Sequence, residues 1–331
     1  MIRIGLLGAA GIAPQALVNP ARRRGDVSVV AIAARDGAAA ERFAAENGVP
    51  TALQGYQALL GLDEVDLVYV ALPPSEHARW SIAAMEAGKD VLCEKPITMD
   101  AEEAVEVAAV AARTGRLVME AFHDHYHPLT GRILDLVQSG AIGDTVSISA
   151  AFTADNPFSP SSLRHVPELG GGALMDLGCY PVHWIRTIGG AEPIVVSASH
   201  IAGPLGADET IDADLELPGG VDVRLHASMA ARSAFAAPLT VVGTRGRLHV
   251  DNLVLPHLGH SVSLERDGRS DRLTVGGRET YDHELDAVVQ ALESREEPAT
   301  GPADFVATMR VIDQIRLAAG VARPRAKAAA S

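Results

Sequence analysis

A chain of 331 residues, 47% of them apolar and only 4% aromatic, has the size and texture of an Ala/Val/Leu-rich α/β enzyme built from two domains. Its formal charge of −14 repels phosphate polymers and anionic bilayers, which excludes nucleic acid and membrane surfaces as general partners. Two cysteines, Cys93 and Cys179, supply neither a disulfide framework nor a zinc spacing and read as small buried apolar residues.

The opening MIRIGLLGAAGIA enters a strand at once, with no basic-then-apolar leader, so a cytoplasmic location is expected. No apolar run reaches membrane-spanning length. In chain order, IRIGLL, VSVVAIAA, DLVYVAL, DVLCE and RLVMEA are nearly continuous apolar runs, the pattern of strands buried on both faces. Between them AAAERFAAENG, SEHARWSIAAMEAG and MDAEEAVEVAAVAARTG read as helices, each ending near a glycine suited to a C-cap. This alternation predicts a doubly wound parallel sheet over residues 1–121.

After Ala121 the texture changes. TVSISAAFTA, IVVSASHI, DADLELP, VDVRLHASM, LTVVGT and GRLHVDN have strand composition, punctuated by Gly-Gly, Pro-Gly and Asp-Asn pairs. Residues 122–331 are expected to form an α+β domain with a large, mostly antiparallel open sheet. Helices are expected over YDHELDAVVQALES and DFVATMRVIDQIRLAA, and the locally basic RPRAKAAAS reads as a frayed terminus.

The first strand runs into Gly8-Ala9-Ala10-Gly11-Ile12-Ala13. A dinucleotide-binding turn needs a tight bend, close approach of backbone to pyrophosphate, and a helix N-terminus aimed at the phosphates. Against the GxGxxG spacing, Ala10 and Ala13 stand where the second and third glycines fall, and Gly11 is an addition. The position between first strand and first helix raises the turn above an ordinary corner. The second strand ends in Ala34-Arg35-Asp36. An acidic residue there accepts from the ribose 2′-hydroxyl of NAD, whereas an arginine pairs with the 2′-phosphate of NADP. Arg35 favours NADP(H), and Asp36, one position on, keeps NAD(H) open.

Glu94, Lys95 and Pro96 follow DVLC at a strand's carboxyl end, the edge at which open α/β sheets bind ligands. Pro96 biases Lys95 towards extended backbone. With the glycine-rich turn, ALPPSEHA after the fourth strand, CEKP after the fifth and GGGALMDLGCYPVHW further on, the chain resembles the Gfo/Idh/MocA oxidoreductase family over essentially its whole length. Tyrosine at position 180 resembles the branch holding dimeric dihydrodiol dehydrogenase, NADP-dependent D-xylose dehydrogenase and glucose–fructose oxidoreductase.

That resemblance implies an NAD(P)-dependent dehydrogenase or reductase acting on CH–OH groups of a sugar or cyclic polyol or diol. It also implies a homodimer or homotetramer formed through the second-domain sheet. Lys95 and Tyr180 are then the catalytic pair, with Asp176 beside them and His183 at the substrate pocket or nicotinamide. Gly8, Ala10, Gly11, Ile12, Ala13, Arg35, Leu72, Pro73, His77, Glu94 and Lys95 would surround the cofactor, and no metal is implied. His77 reads equally as a structural residue at a helix start. Acid–base chemistry agrees: a phenol with a pKa of about 10 is a poor base, and a neighbouring ammonium lowers that value. The Lys95 amine is therefore expected within reach of the Tyr180 phenol.

Asp176, Tyr180 and His183 at i, i+4 and i+7 are expected on one helix face, with Pro181 interrupting the ladder. In AFHDHYHP, alternation would show His123, His125 and His127 on one face of a strand, and alternating imidazoles can chelate a metal. The resemblance implies no metal and often an aromatic-Arg-aromatic-His-Pro run here, and His125 stands where that arginine would be. Arg164 reads as a solvated loop arginine that could reach the substrate. Other readings are a keto-inositol or imine reductase, a sugar–sugar oxidoreductase that retains its cofactor, and a non-catalytic NADP-binding sensor.

Overall fold

The structure is a computed structural model and describes residues 1–321; the basic tail noted above lies outside the described residues. Strand β1 (Ile2–Leu7) passes through the glycine turn and a π-helical turn (Pro14–Val18) into α1 (Asn19–Arg22). Then follow β2 (Val27–Ala34), α2 (Gly37–Asn47), β3 (Thr51–Gln54), α3 (Tyr56–Leu60), β4 (Leu67–Val70), α4 (Pro74–Glu86), β5 (Asp90–Cys93), α5 (Ala101–Thr114) and β6 (Val118–Glu120). Among the described residues these strands form a six-stranded sheet in the order β3-β2-β1-β4-β5-β6. Every pairing in it is parallel. The strand order reverses between β1 and β4, and ligands of doubly wound sheets bind outside the strand ends at such a switch point.

The chain continues with α6 (Pro128–Gln138), β7 (Thr145–Thr153), a second π-helical turn (Leu174–Gly178) and α7 (Cys179–Gly189). Next come β8 (Ile194–Ala202), β9 (Asp208–Leu217), β10 (Val221–Ser228), β11 (Leu239–Gly243), β12 (Gly246–Val250), β13 (Val262–Arg266) and β14 (Arg269–Leu273), then α8 (Thr280–Ser294) and α9 (Pro302–Ala319). Strands β7 to β14 form an eight-stranded sheet, β14-β13-β12-β11-β7-β10-β9-β8. Its β7–β10 pairing is parallel and the others are antiparallel. A parallel sheet followed by a large, mostly antiparallel one is the architecture expected from the strand composition.

Two compact units result, one of Met1–Phe122 with Tyr281–Val306, the other of His123–Thr280 with the chain from Ala307 onward. Although late in sequence, α8 belongs to the first. Tyr281, Leu285, Val288 and Val289 join the core cluster of Ile4, Leu6, Leu17, Ile32, Tyr69 and Leu92. Burying each such aliphatic side chain stabilises the fold by about 1.5–3 kcal/mol. A salt bridge from Arg23 to Asp282 at 2.6 Å fixes the start of α8.

In the second unit, burial alternates along β9 and β10. Ile211, Ala213, Leu215, Val223 and Leu225 face inward, on the side where α7 packs against β7 and β10. Asp212, Asp214 and Arg224 are exposed, as are Ile194, Val196 and Ile201 on edge strand β8. Among the described residues, no helix is long and apolar enough to cross a membrane.

Candidate active site

At the C-terminal end of β1, Gly8 has φ +102, and a Cβ there would meet the Ala71 carbonyl oxygen at 2.3 Å. Only glycine fits so close to the strand-β4 backbone. A Cβ on Gly11 would meet nothing within 4 Å, so the outer side of the turn is clear for a phosphate to approach. Ala13 is buried in the core, Ala10 packs against it, and Ile12 is exposed. The helix that follows begins at Pro14, whose missing N–H costs nothing at a first position.

At the end of β2, Asp36 is occupied locally. It is the N-cap of α2, and its carboxylate accepts from the Ala38 amide at 3.0 Å. Arg35 is exposed and interacts with the Tyr56 phenol. The Tyr56 ring packs edge-on against Trp80, centroids 4.9 Å apart. An engaged carboxylate beside an exposed guanidinium fits a dinucleotide carrying a 2′-phosphate. The turn and these two side chains thus fit a nicotinamide dinucleotide.

The segment after β5 is fixed from several directions. Tyr69 donates a short hydrogen bond to the Glu94 carboxylate, and burial together with that carboxylate raises the Tyr69 phenol well above its ordinary value. The Lys95–Pro96 peptide is cis. The buried ring of His77 places Nδ1 2.8 Å from the Pro96 carbonyl and Nε2 2.7 Å from the Leu72 carbonyl. Ile97 donates its amide to Glu120 at 2.8 Å. Burial lowers His77 to about 4 against the pull of those two carbonyls, and the neutral ring donates to one of them at a time. Lys95, half-buried, is therefore presented from a segment clamped on both sides. Pro73 is the N-cap residue of α4, so His77 ties the β4 and β5 loops together.

In the second unit the Gly170-Gly171-Gly172 run makes a close-packed corner. A Cβ on Gly171 would lie 2.6 Å from the Leu163 carbonyl oxygen, and one on Gly172 would lie 2.1 Å from Asp208 Oδ1. Asp208 Oδ2 accepts from the Leu174 amide at 2.7 Å, at the start of the π-helical turn. Asp176 lies in the π-helical turn, while Tyr180 and His183 lie in α7, so the three do not belong to one regular α-helix. The wider turn breaks the 3.6-residue register. It also answers the Pro181 interruption, since proline cannot return a bond to Leu177. Pro20 follows the first π-helical turn in the same way.

Arg164 is not simply a solvated loop residue, because its Nε donates to Asp176 Oδ2 at 2.8 Å. Residues 123–126 form a turn, not the expected strand, so the alternation of histidines has no common face. His123 Nε2 lies 3.1 Å from the Tyr180 hydroxyl. Trp184 Nε1 donates to Asp124 Oδ2 at 2.6 Å, and the His125 ring lies 5.1 Å from His183. His127 caps α6 by accepting from the Leu129 amide at 3.1 Å. Burial raises the Asp124 carboxyl to about 6, against the opposing effects of His183 and the Trp184 hydrogen bond. Tyr180 and His183 are 4% and 1% exposed, so neither is a surface residue. Among the described residues, no group of three or more His, Cys, Asp or Glu is placed to hold a metal ion. Sequence reasoning gave no role to Asp208 or Asp124; Asp208 shares the parity of the exposed Asp212 and Asp214 along β9, so its burial left no mark in the pattern.

Residues 2–122 match the oxidoreductase family with NAD-binding Rossmann fold, and residues 131–249 match the GFO/IDH/MocA C-terminal domain. The D-xylose 1-dehydrogenase (NADP(+)) 2 of Haloferax volcanii is 36% identical over 317 residues, 94% of this chain and 95% of that protein. A dTDP-3,4-didehydro-2,6-dideoxy-alpha-D-glucose 3-reductase from Streptomyces antibioticus is 36% identical over 83% of this chain and 82% of its own. A 3-ketoreductase from Actinomadura kijaniata, solved with NADP and TDP-benzene, superposes with a TM-score of 0.89 at 31% identity, covering 96% of this chain and 97% of that one.

Proposed function

Because the chain belongs to the Gfo/Idh/MocA oxidoreductase family, we propose that it is an NADP(H)-dependent oxidoreductase acting on a carbon-bound hydroxyl of a sugar or cyclic diol. The observation that carries this is Lys95, held at the ligand-binding edge of a parallel sheet by the Tyr69–Glu94, His77–Pro96 and Glu120–Ile97 bonds. The parallel-sheet unit, Met1–Phe122 with Tyr281–Val306, binds the nucleotide, and the unit with the eight-stranded sheet receives the substrate and mediates subunit association. NADP(H) is favoured over NAD(H) because Asp36 caps α2 while Arg35 stays exposed.

The nicotinamide, when bound, supplies hydride exchange. Tyr180 acts as general acid/base, and Lys95 bonds the substrate oxygen. Asp176, oriented by Arg164, accepts from further substrate hydroxyls, and His183 lies at the substrate pocket or nicotinamide. Oxidation of an anomeric carbon would yield a lactone. A ring diol would yield a ketone.

A second reading is supported by the likeness to dTDP-sugar 3-reductases: the same acid/base pair run in the reductive direction on a nucleotide-linked keto-sugar. An absorbance screen at the reduced-nicotinamide band separates the two. NADP⁺ is offered with aldoses, inositols and trans-dihydrodiols, and NADPH with free and nucleotide-linked keto-sugars. Oxidation of free sugars or diols supports the first reading and reduction of linked keto-sugars the second. Tight NADP binding without turnover across both panels contradicts both and points to a sensor.

A further inference from the structure

We propose that His123 positions the Tyr180 phenol and takes up its proton, so that Tyr180 works as the outer half of a tyrosine–histidine relay. This rests on the role assigned to Tyr180 above. The Tyr180 hydroxyl and His123 Nε2 lie 3.1 Å apart, and the two residues are 4% and 3% exposed. Their rings meet edge-on with centroids 5.8 Å apart. Phe152 and Trp184 flank the phenol with centroids at 5.5 and 6.3 Å.

The turn that carries His123 is riveted to α7 at two successive residues. Tyr180 and Trp184 are one helical turn apart, so their polar atoms point along one face, and they bond His123 and Asp124 in order. Thr130 Oγ1 donates to the Asp124 carbonyl at 2.7 Å and holds the far side of the turn. Neighbouring titratable groups include Asp124 in the turn, which is electrostatically coupled to His183 of α7, and His125, whose ring lies 5.1 Å from that of His183; Phe152 from β7 is neutral. A dyad fixed in this way keeps its geometry while a proton moves.

The direction of transfer follows from the tautomer. With the neutral ring protonated on Nδ1, the arrangement the relay requires, the hydroxyl is the donor and Nε2 the acceptor. In oxidation, the Tyr180 oxygen takes the substrate hydroxyl proton as its own proton passes to His123 Nε2. The two electrons leave with the hydrogen that goes to the nicotinamide, which leaves a carbonyl and an imidazolium. Reduction runs the same transfers backwards. A protonated His123 cannot accept, so oxidation slows at acid pH once His123 holds a proton.

The first test needs no substrate. Histidine-labelled full-length protein, wild type, His123→Gln and Tyr180→Phe, is compared by nitrogen-15 NMR of the imidazole rings. One ring, lost in His123→Gln, should carry its proton on Nδ1 and should shift in Tyr180→Phe. A ring protonated on Nε2 when neutral, or unmoved by Tyr180→Phe, overturns the relay.

With an active substrate, glutamine keeps a polar partner at His123 but cannot carry a proton. His123→Gln should lower kcat about 10- to 100-fold with KM within about 2-fold, and erase the acid limb of the pH profile. Retained NADPH fluorescence binding shows that the variant is folded. A wild-type profile in His123→Gln alongside an inactive Tyr180→Phe overturns the relay alone. An active Tyr180→Phe overturns the underlying role of Tyr180.

Discussion

Asp208 occupies the space that Gly172 leaves. A Cβ at Gly172, where φ is +127, would sit 2.1 Å from Asp208 Oδ1, while Oδ2 of the same carboxylate accepts from the Leu174 amide at 2.7 Å. The glycine run is thereby explained in part as room for a buried capping carboxylate. Gly172→Ala should displace that carboxylate and strain the backbone, destabilising the protein by about 2–4 kcal/mol. A lowered denaturant midpoint checks it, and an unchanged midpoint means that the corner relaxes freely.

Asp208 also makes stability depend on pH. Burial raises its carboxyl from 3.8 to about 6, against the Leu174 hydrogen bond. A raised carboxyl favours the folded state fully below about pH 4, and this contribution is lost as pH rises towards 6. Asp208→Asn keeps an acceptor for Leu174 but does not ionise. The difference in stability between wild type and Asp208→Asn should therefore shift against wild type between about pH 4 and 6, by roughly 2 kcal/mol. Denaturant titrations at both pH values measure it.

The two neighbours at the end of β2 should separate cleanly. Arg35→Ala should weaken NADP(H) binding about 10- to 100-fold, the scale of a lost charge-assisted pair, and leave NAD(H) nearly unchanged. Asp36→Ala should cost about 1 kcal/mol of stability through the lost helix cap without altering cofactor preference. Fluorescence titration of both reduced cofactors distinguishes this from a ribose-binding role for Asp36.

His77 bridges the Leu72 and Pro96 carbonyls from a buried position. Replacing it by Ala should destabilise the protein by about 2–4 kcal/mol, from the cavity and the stranded carbonyls. If it also fixes Lys95, kcat should fall more than NADP(H) affinity does. Equal losses would place His77 at the cofactor.

The Arg164–Asp176 pair is partly exposed, with side chains 48% and 19% accessible, so Arg164→Ala should change stability by less than about 1 kcal/mol. Its effect should appear in KM, because Asp176 loses the partner that orients it. A melting temperature that moves while KM stays fixed would assign the pair to the fold alone.

The parallel sheet was legible because β1, β2, β4 and β5 are buried on both faces and read as unbroken apolar runs. Shorter or more exposed elements left no such mark. The four residues of β3, TALQ, are intermediate or exposed, and β14 is an edge strand of RSDRL, exposed along most of its length. Helix α6 buries Leu129, Ile133 and Leu136, an i, i+4, i+7 stripe overshadowed by the histidines before it. Those histidines alternate as a strand would, but the chain turns there and sends His123 to Tyr180, His125 towards His183 and His127 to a helix cap. Residue spacing also cannot reveal a π-helical turn, which is why Asp176 was expected in register with Tyr180. The motifs named the residue types, whereas their partners Arg164, Asp208 and Asp124 come from distant or differently patterned segments.

The most direct test of the acid–base assignment is the turnover of Tyr180→Phe, followed at the reduced-nicotinamide band with a sugar or diol that wild type oxidises, alongside NADPH binding by fluorescence. Loss of about 10²–10⁴-fold in kcat with cofactor affinity unchanged is the predicted result. Turnover within a few-fold of wild type would contradict it.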